Sequence, residues 1–364
     1  MRRTIAVSAS CLALLVSTGC TSTSGTDSAP EPDECTPVTS TDLNTEDGWL
    51  GLIGQAPESV SLLVDDGSGR TVEHRAEEQQ PLASAVKVVH LGAYARAVAA
   101  GELDPDEQVP LLDWERWYVP GTDGGAHPAA LERLGIASDG TSATDLAGTV
   151  RLDDIVSAMI QESDNAPPDY LRYRLGDDAL TRAAAAGGWE NFQAPTLVTQ
   201  TLSLFDPALG DGDTWATAER WAFDQQFRVD VSAGLELPSY DQQVDGVQER
   251  SAQGSAAELA GFYRAIADGT FGDGSDVALR QLEHRPAPDG AAGIGFKGGN
   301  LPGVLTQAFE LRRDDGTVAT AVWLIDSLPA DRYEAALAGF GNQQTLIVDA
   351  LSSPSGFDRI ACAV

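Results

Sequence analysis

The sequence predicts an α/β fold of the α+β kind, in which one antiparallel sheet forms from both ends of the domain and an all-helical lobe is inserted between them. Short strands with apolar residues occur near both termini, at 59–65, 70–75, 293–298, 304–313 and 317–325. Gly/Asp turns at 66–69 and 314–316 indicate hairpins at both ends. The long middle region is Ala-rich and helical in its apolar spacing. Hairpins at both ends around a helical middle favour a single shared sheet.

The helices follow in chain order. A short helix opens the domain at 42–53, and the segment 84–100 is apolar on all sides, which is typical of a helix inside a core. Residues 151–161 place their apolar side chains at helical spacing. Further helices are predicted at 178–186, 214–228, 255–268 and 331–352.

Charge and composition exclude several classes of protein. Only 23 Lys and Arg face 55 Asp and Glu among 364 residues, which gives a formal net charge of −32. Such a chain is repelled by phosphates, so nucleic acid is excluded as a partner, and so is an anionic membrane held through a basic patch. A hydrophobic content of 42% excludes wholesale disorder. The four histidines are scattered and no Cys/His spacing fits zinc, so we expect no metal. We also expect a monomer that needs no cofactor.

The N-terminus has the features of an export signal. A basic start precedes an apolar stretch at 4–17, which is too short to span a bilayer. Ser17-Thr18-Gly19-Cys20 resembles a bacterial lipobox, with Ser17 where Leu is usual. We therefore predict a signal peptide at 1–19, a lipid on Cys20, a flexible tether at 20–41 and a folded domain at 42–364. The protein would be anchored on the extracellular face of the cell membrane; the alternative is ordinary cleavage without lipid.

The cysteines can be assigned once this processing is assumed. Cys11 would leave with the signal and Cys20 would carry the lipid. Cys35 and Cys362 then remain at opposite ends of the domain, in an oxidising compartment. A disulfide between them is the simplest pairing, and the alternative is two free thiols at loosely ordered termini.

Lysine is almost absent, so its two positions are informative. The basic residues are Arg except for Lys87 and Lys297, and Arg cannot replace Lys where the amine must lose a proton. In Ser84-Ala85-Val86-Lys87 the spacing places Lys87 on the same helix face as Ser84. A desolvated lysine could activate this serine as a nucleophile. The alternative is a lysine that extends from the surface of the helix.

Two further short motifs carry polar side chains. Ser163-Asp164-Asn165 follows a predicted helix; alone, this tripeptide would indicate a helix cap or an Asx turn. Lys297-Gly298-Gly299 lies on a predicted strand, where glycines indicate close approach of a ligand backbone, or else a bulge or a strand end.

Together and in this order, the S-x-x-K, S-D-N and K-x-G motifs resemble the serine β-lactamases and penicillin-binding proteins. The resemblance spans about residues 42–361. It implies that Ser84 is the acylated nucleophile, Lys87 its proton acceptor and Ser163 a proton relay. It implies further that Asn165, Lys297 and Gly299 line the substrate site, and that the backbone N–H groups of Ser84 and Asn300 form an oxyanion hole. Trp117 or Tyr118 would form the aromatic wall of the groove.

The chain departs from the family pattern at two places. Gly298 stands where the family usually has Thr or Ser, whose hydroxyl contacts the substrate carboxylate. The E-x-x-L-N motif is missing between Asn165 and Asp213, where Glu190 and the acids at 206–213 are the nearest candidates. The resemblance implies a lipid-anchored serine hydrolase that forms an acyl-serine on a β-lactam or on a peptidoglycan-like amide or ester. The alternative is a non-catalytic binding lipoprotein of the cell envelope that retains the fold.

Overall fold

The computed structural model describes residues 35–364. The predicted signal peptide, the lipidation site Cys20 and the first part of the predicted tether lie outside the described residues. Residues 35–42 have no regular secondary structure, but they contact the domain. Gln55 Nε2 donates a hydrogen bond to Ser40 O at 3.0 Å, and Arg332 Nη1 donates to Thr41 O at 3.0 Å. The last part of the predicted tether is therefore attached to the folded domain.

The strands are numbered in chain order. They are β1 Val60–Asp65, β2 Thr71–His74, β3 Gln80–Pro81, β4 Gln108–Pro110, β5 Thr149–Arg151, β6 Gln253–Gly254, β7 Ala291–Leu301, β8 Val304–Arg313 and β9 Val318–Ile325.

The helices fill the region between β2 and β7 and flank the sheet. They are α1 Glu46–Gln55, α2 Lys87–Ala99, α3 Leu111–Glu115, α4 Ala126–Arg133, α5 Leu152–Gln161, α6 Ala166–Leu175, α7 Asp177–Ala186, α8 Leu197–Phe205, α9 Thr214–Phe223, α10 Gln225–Gly234, α11 Tyr240–Arg250, α12 Ala256–Asp268, α13 Ser275–Leu282, α14 Ala330–Ser352 and α15 Pro354–Ala361.

The main sheet joins the two ends of the domain. Its order is β2-β1-β9-β8-β7, and every neighbouring pair is antiparallel. The N-terminal strand β1 pairs with the C-terminal strand β9 along its whole length, from Val60 opposite Ile325 to Asp65 opposite Thr320. The predicted fold class, an antiparallel sheet built from both termini, is confirmed. The inserted lobe is mostly helical and also contains two short antiparallel pairs, β3–β6 and β4–β5.

The sheet lies between two hydrophobic cores. Helices α1, α14 and α15 cover one face, where Trp49, Trp323 and Leu346 are buried. Helix α12 and the inserted lobe cover the other face, with Val322 and Leu324 in their core. Because both faces are covered, β8 and β9 are buried along nearly their whole lengths.

Several helices differ from prediction for identifiable reasons. The predicted helix 214–228 is two helices, α9 and α10, which meet at Asp224, whose side chain accepts a hydrogen bond from Phe227 N and caps α10. Helix α6 was not predicted, because Pro167 and Pro168 resemble a break. Both prolines lie in its first turn, where a missing N–H costs no helical hydrogen bond.

Cys35 and Cys362 form a disulfide, as predicted, with their Cα atoms 5.2 Å apart. The bond joins the start of the described chain to the end of α15 and so closes almost the whole domain. Within residues 35–364, no helix combines the length and the apolarity that a bilayer crossing requires.

Candidate active site

Ser84 lies on a tight turn rather than on the predicted helix. Residues Ala83–Val86 form one 3-10 turn, and α2 begins only at Lys87. Ala83, directly before Ser84, has a φ of 47°, in the left-handed region that a side chain rarely adopts. We call residues 83–86 the Ser84 turn. Strain of this kind is often found at functional sites.

Strand β7 holds the Ser84 turn at very close range. A Cβ atom added to Gly299 would lie 2.3 Å from the backbone nitrogen of Ser84 and 3.0 Å from that of Ala85. Only glycine permits this approach. The neighbouring strand adds one more contact, because Thr306 Oγ1 donates a hydrogen bond to Leu82 O at 3.0 Å. The turn is thus fixed by packing against the sheet.

Lys87 is fully buried, and its ammonium group points at the S-D-N tripeptide. Its Nζ lies 2.6 Å from Ser163 O, 2.6 Å from Asn165 Oδ1 and 3.3 Å from Ser163 Oγ. These three acceptors match the three donors of a lysine. Ser84, half-buried at the surface of the cleft, makes no side-chain hydrogen bond with any other residue that the structure describes. The three-residue spacing therefore brings Lys87 to the site without a direct hydrogen bond to Ser84.

Lys297 also binds Ser163. Its Nζ, on β7, donates to Ser163 Oγ at 2.9 Å and to Gly298 O at 2.6 Å. The only two lysines of the chain therefore meet at one hydroxyl, although they are 210 positions apart in the sequence.

Burial weakens the proton affinity of both lysines. It lowers the pKa of Lys87 to about 7, even though the carboxylates of Asp164, Asp123 and Asp169 attract its charge. Burial also holds the pKa of Lys297 well below its ordinary value, with further contributions from the positive charges of Lys87 and Arg285. A substantial fraction of Lys87 is a neutral amine at pH 7, which is the form that can accept a proton.

The loop of residues 163–165, here called the Ser163 loop, is held from behind by Asp164. Ser163 has a φ of 72°, again in the left-handed region. The buried Asp164 carboxylate accepts hydrogen bonds from Trp114 Nε1 at 2.9 Å and from Ala166 N at 2.9 Å. His127 Nδ1 lies 2.9 Å from Asp164 Oδ2. These contacts hold the loop in its strained conformation.

His127 and Glu115 are site residues that sequence reasoning missed. His127 Nε2 lies 3.0 Å from Glu115 Oε1, so the imidazole is sandwiched between two buried carboxylates. Burial lowers the pKa of His127, but the carboxylates of Asp164 and Glu115 outweigh it and raise that pKa to about 10. The available signal was the rarity of histidine, since the chain has only four.

A cleft with a volume of about 520 Å³ opens in front of Ser84, Ser163 and Asn165. The rest of its lining comes from the 121–124 loop, the end of α5, α8, α11, the end of β7 and α14. It includes Asp123, Glu162, Arg250, Asn300 and Tyr333.

The prediction that Trp117 or Tyr118 forms an aromatic wall of the cleft is wrong. Trp117 and Tyr118 are both 1% exposed and do not line the cleft. Trp117 stacks on Trp215 with ring centroids 5.5 Å apart, and Tyr118 stacks on His127 at 4.1 Å. Both rings pack inside the helical lobe because their apolar surfaces find partners there.

The glycine at position 298 has a steric reason. A Cβ atom there would lie 2.7 Å from Phe296 Cζ and 3.0 Å from Thr306 O. The Phe296 ring occupies the space that a Thr or Ser side chain would need. Asn300, further along β7, is exposed, and its Nδ2 donates to Tyr333 Oη at 3.2 Å.

The carboxylates that line the cleft are already engaged. Asp123 accepts hydrogen bonds from Tyr118 Oη at 3.2 Å and from His127 N at 2.8 Å. Both oxygens of Glu162 are bound by Arg133, at 2.6 and 2.9 Å. Glu190 is exposed and does not line this cleft. Within residues 35–364, no three His, Cys, Asp or Glu side chains gather as a metal-ligand set.

The acids at 206–213 do not line the cleft either. The side chains of Asp206 and Asp213 accept hydrogen bonds from Ala208 N and Ala216 N and cap the helical turns that follow them. None of the acids considered from the sequence is therefore placed to act on water beside Ser84.

Comparison with known families shows which family the chain belongs to. The model of a family described as the beta-lactamase enzyme family matches residues 50–276, more than half of the chain. The chain belongs to the beta-lactamase enzyme family. The match includes Ser84, Lys87, Ser163 and Asn165, whereas Lys297 lies beyond it and is brought to the site by β7.

Solved structures agree on the beta-lactamase fold. A β-lactamase from Sphaerobacter thermophilus DSM 20745 is 18% identical with a TM-score of 0.53, over 82% of this chain and 95% of that one. A β-lactamase from Burkholderia vietnamiensis is 16% identical with a TM-score of 0.50, over 85% of this chain and 97% of that one. At these identities the similarity establishes the fold. Among curated proteins, no relative matches this member of the family.

Proposed function

We propose that this protein is a serine hydrolase that forms an acyl-serine on Ser84, with a β-lactam or a peptidoglycan-like amide or ester as substrate. The observation that carries the proposal is the convergence of Lys87 and Lys297 on Ser163 Oγ, at 3.3 and 2.9 Å, in the cleft that holds Ser84. Burying two lysines at one hydroxyl is costly unless they have a role.

The proposed acylation step follows from these groups. The neutral amine of Lys87 takes the proton of Ser84 Oγ, which attacks the carbonyl carbon and forms a new O–C bond. The C–N or C–O bond of the substrate breaks, and the leaving atom takes a proton from Ser163 Oγ. Lys297 or the protonated Lys87 returns a proton to Ser163. The backbone N–H groups of Ser84 and Asn300 are proposed to stabilise the oxyanion.

The substrate's anionic group is proposed to bind between Lys297 and Arg250. Gly298 offers no hydroxyl, and Phe296 leaves no room for one. Arg250, on α11, lines the cleft, and its ion pair with Glu249 involves a carboxylate that is 64% exposed. Such a surface pair contributes little, so the guanidinium is available to a substrate carboxylate.

Covalent labelling tests the nucleophile. We expect a fluorescent penicillin or a fluorophosphonate to label the wild type once, at Ser84, and to leave Ser84→Ala unlabelled. Lys87→Arg should lose nearly all labelling, because a guanidinium does not act as a base at neutral pH. Ser352→Ala, an exposed serine at the end of α14, is the matched control and should label like the wild type.

One observation favours the non-catalytic binding lipoprotein as a second candidate. Ser84 Oγ has no hydrogen bond from Lys87, whose donors all point at the Ser163 loop. Catalytic hydrogen bonds often tighten only when substrate binds, so the nucleophile remains the better proposal. A folded wild type that neither probe labels would support the binding protein instead.

We propose further that the acyl-enzyme persists. Deacylation needs a positioned base, and the two cleft carboxylates are held by Arg133, Tyr118 and the backbone of His127. After a pulse of penicillin, intact-mass spectrometry should find a stable adduct. A rapid return to the unmodified mass, with multiple turnovers, would mean that another base acts.

The anchored location is also a proposal. The apolar segment at 4–17, the sequence around Cys20 and the Cys35–Cys362 disulfide all fit export to an oxidising compartment. In a bacterial host that lipidates exported proteins, the full chain should fractionate with membranes and Cys20→Ala should be released. Release of both forms would contradict lipid anchoring.

A further inference from the structure

The structure contains a cluster of buried ionisable groups directly behind the Ser163 loop. His127 Nδ1 lies 2.9 Å from Asp164, and Nε2 lies 3.0 Å from Glu115. The ring of Tyr118 stacks on the imidazole at 4.1 Å, and that of Trp114 meets it edge-on at 4.9 Å. His127 and Asp164 are fully buried and Glu115 is 7% exposed. An imidazole donates from both ring nitrogens only when it is protonated, so an ionised carboxylate at each nitrogen favours the positively charged ring.

The cluster is linked to Lys87 through Asp164. Lys87 Nζ donates to Ser163 O and to Asn165 Oδ1, the residues on either side of Asp164. Because Asp164 also anchors the left-handed conformation of Ser163, its position decides where the acceptors of Lys87 lie. A group that holds Asp164 therefore acts on Lys87 without touching it.

We propose that His127 is a positioning residue: as a buried imidazolium between Asp164 and Glu115, it fixes the Ser163 loop and offsets the Asp164 charge, which keeps Lys87 available as a proton acceptor. The inference rests on the proposed function, in which Lys87 is the base for Ser84.

The charges around both groups give the direction of the effect. Three acids face Lys87, from the Ser163 loop, the 121–125 loop and α6: Asp164, Asp123 and Asp169. Lys297 on β7 and His90 on α2 also face it, and Arg172 acts on His90 and Asp169. Burial lowers the pKa of His90 to about 3, so it stays neutral.

His127 is faced by Asp164, Glu115 and Asp123, the last through its backbone N–H at 2.8 Å. Removing its positive charge leaves the acids nearest Lys87 less compensated. Lys87 would then bind a proton more tightly and would be a poorer base near neutral pH.

The charge of His127 can be read directly in the wild type. The chain has only four histidines, so the full-length protein labelled with 15N-histidine gives four imidazole signals, assigned by single substitutions. We expect His127 to be doubly protonated at pH 8, where free histidine is neutral. A neutral His127 at pH 8 would overturn the proposal, even if no His127 variant folds.

The consequence for Lys87 is read from the pH profile of penicillin labelling at Ser84. In His127→Gln, the pH at which labelling is half-maximal should rise by about one unit, so that labelling at pH 6 slows about tenfold. Glu115→Gln removes a negative charge instead, so its midpoint should stay or fall. An unchanged midpoint in His127→Gln, or a rise in both variants, would overturn the proposal.

Tyr118→Phe is the matched control, because it removes a hydroxyl from the same cluster without changing its charge. Its midpoint should equal that of the wild type; a rise like that of His127→Gln would attribute the effect to loosened packing and overturn the proposal. Failure of the proposed function is distinguishable, since a folded wild type would then show no Ser84-dependent labelling at any pH.

Discussion

The two walls of the cleft are held by different physical means. The Ser84 turn is fixed by steric contact with the sheet, where Gly299 lets β7 approach the backbone nitrogen of Ser84. The Ser163 loop is fixed by a buried ionic cluster of Asp164, His127 and Glu115. Packing does not depend on pH, whereas a charge cluster does. Under the proposal for His127, the proton affinity of Lys87 depends on the helical lobe, whereas the position of Ser84 depends on the sheet.

Disrupting the buried cluster of Asp164, His127 and Glu115 should have the largest effect on the labelling of Ser84. Asp164→Asn removes one of the two carboxylates that hold the buried His127 imidazolium and leaves it only Glu115, which should cost about 3–5 kcal/mol of unfolding free energy. Labelling of Ser84 should fall about 1000-fold, because the acceptors of Lys87 shift. Urea unfolding and labelling rates measure both. Asp211→Asn, at an exposed site, should change stability by less than about 0.5 kcal/mol; an equally mild Asp164→Asn would contradict the ionic account.

Disturbing the close contact between Gly299 and the Ser84 turn should have the next largest effect on the labelling of Ser84. In Gly299→Ala the new Cβ would displace the Ser84 turn, with a cost of about 1–3 kcal/mol from overpacking. Misplacing Ser84 by about 1 Å should slow labelling about 100-fold. Gly341→Ala, on α14 where a Cβ meets nothing within 4 Å, should instead stabilise the protein by about 0.5–1 kcal/mol. Near-normal labelling of Gly299→Ala would mean that the close approach is not required.

The pH dependence of labelling should distinguish the ionic support of the Ser163 loop from the steric support of the Ser84 turn. Because burial lowers the pKa of Lys87 to about 7, the lysine is protonated below that pH and cannot accept the proton of Ser84. Labelling of the wild type should therefore rise with pH, falling about tenfold for each unit well below pH 7. Gly299→Ala should label more slowly but with the same pH midpoint, since it disturbs only the contact between β7 and the Ser84 turn. A profile that is flat from pH 5.5 to 8.5 would exclude Lys87 as the base.

The disulfide should have the smallest effect on labelling. It lies at the chain ends, away from both walls, and closes a loop with a sequence separation of 327 residues. Replacing Cys35 and Cys362 by Ala should lower the unfolding free energy by up to about 5 kcal/mol through chain entropy. Labelling of the folded variant at 25 °C should stay within about twofold of the wild type. A much larger loss of labelling would mean that the termini support the cleft.

The sheet could be predicted because its signal is local. Strand β8 was predicted at 304–313 and observed at Val304–Arg313, and the flanking strands differ by a few residues at their ends. Short runs rich in apolar residues and the turn residues at 314–316 are properties of neighbouring positions. Helix α6 escaped because its two prolines are tolerated only at the first turn, and nothing nearby marks position 166 as that turn.

The motif residues of the candidate site could be predicted from the sequence, but the buried residues that hold the Ser163 loop in place could not. Ser84, Lys87, Ser163, Asn165 and Lys297 were named from short patterns and from the scarcity of lysine. In the structure Ser84, Ser163 and Asn165 line one cleft, and both lysines lie buried against Ser163. His127 and Glu115 lie 37 and 12 residues from their partners Asp164 and His127, with no periodic pattern between them. Because the chain has 55 Asp and Glu residues, nothing in the sequence distinguishes Glu115 from the other acids.

The antiparallel sheet, the two lysines and the cysteine pair could be predicted from the residues alone, because strand composition and residue scarcity are visible without a fold. How these parts contact one another follows from the packing of the chain. It placed Phe296 where a hydroxyl at 298 would stand, occupied the cleft carboxylates with Arg133 and Tyr118, and set His127 between two buried carboxylates behind the Ser163 loop. Each of these features depends on distances of a few ångströms between side chains, and the packing of the fold sets those distances.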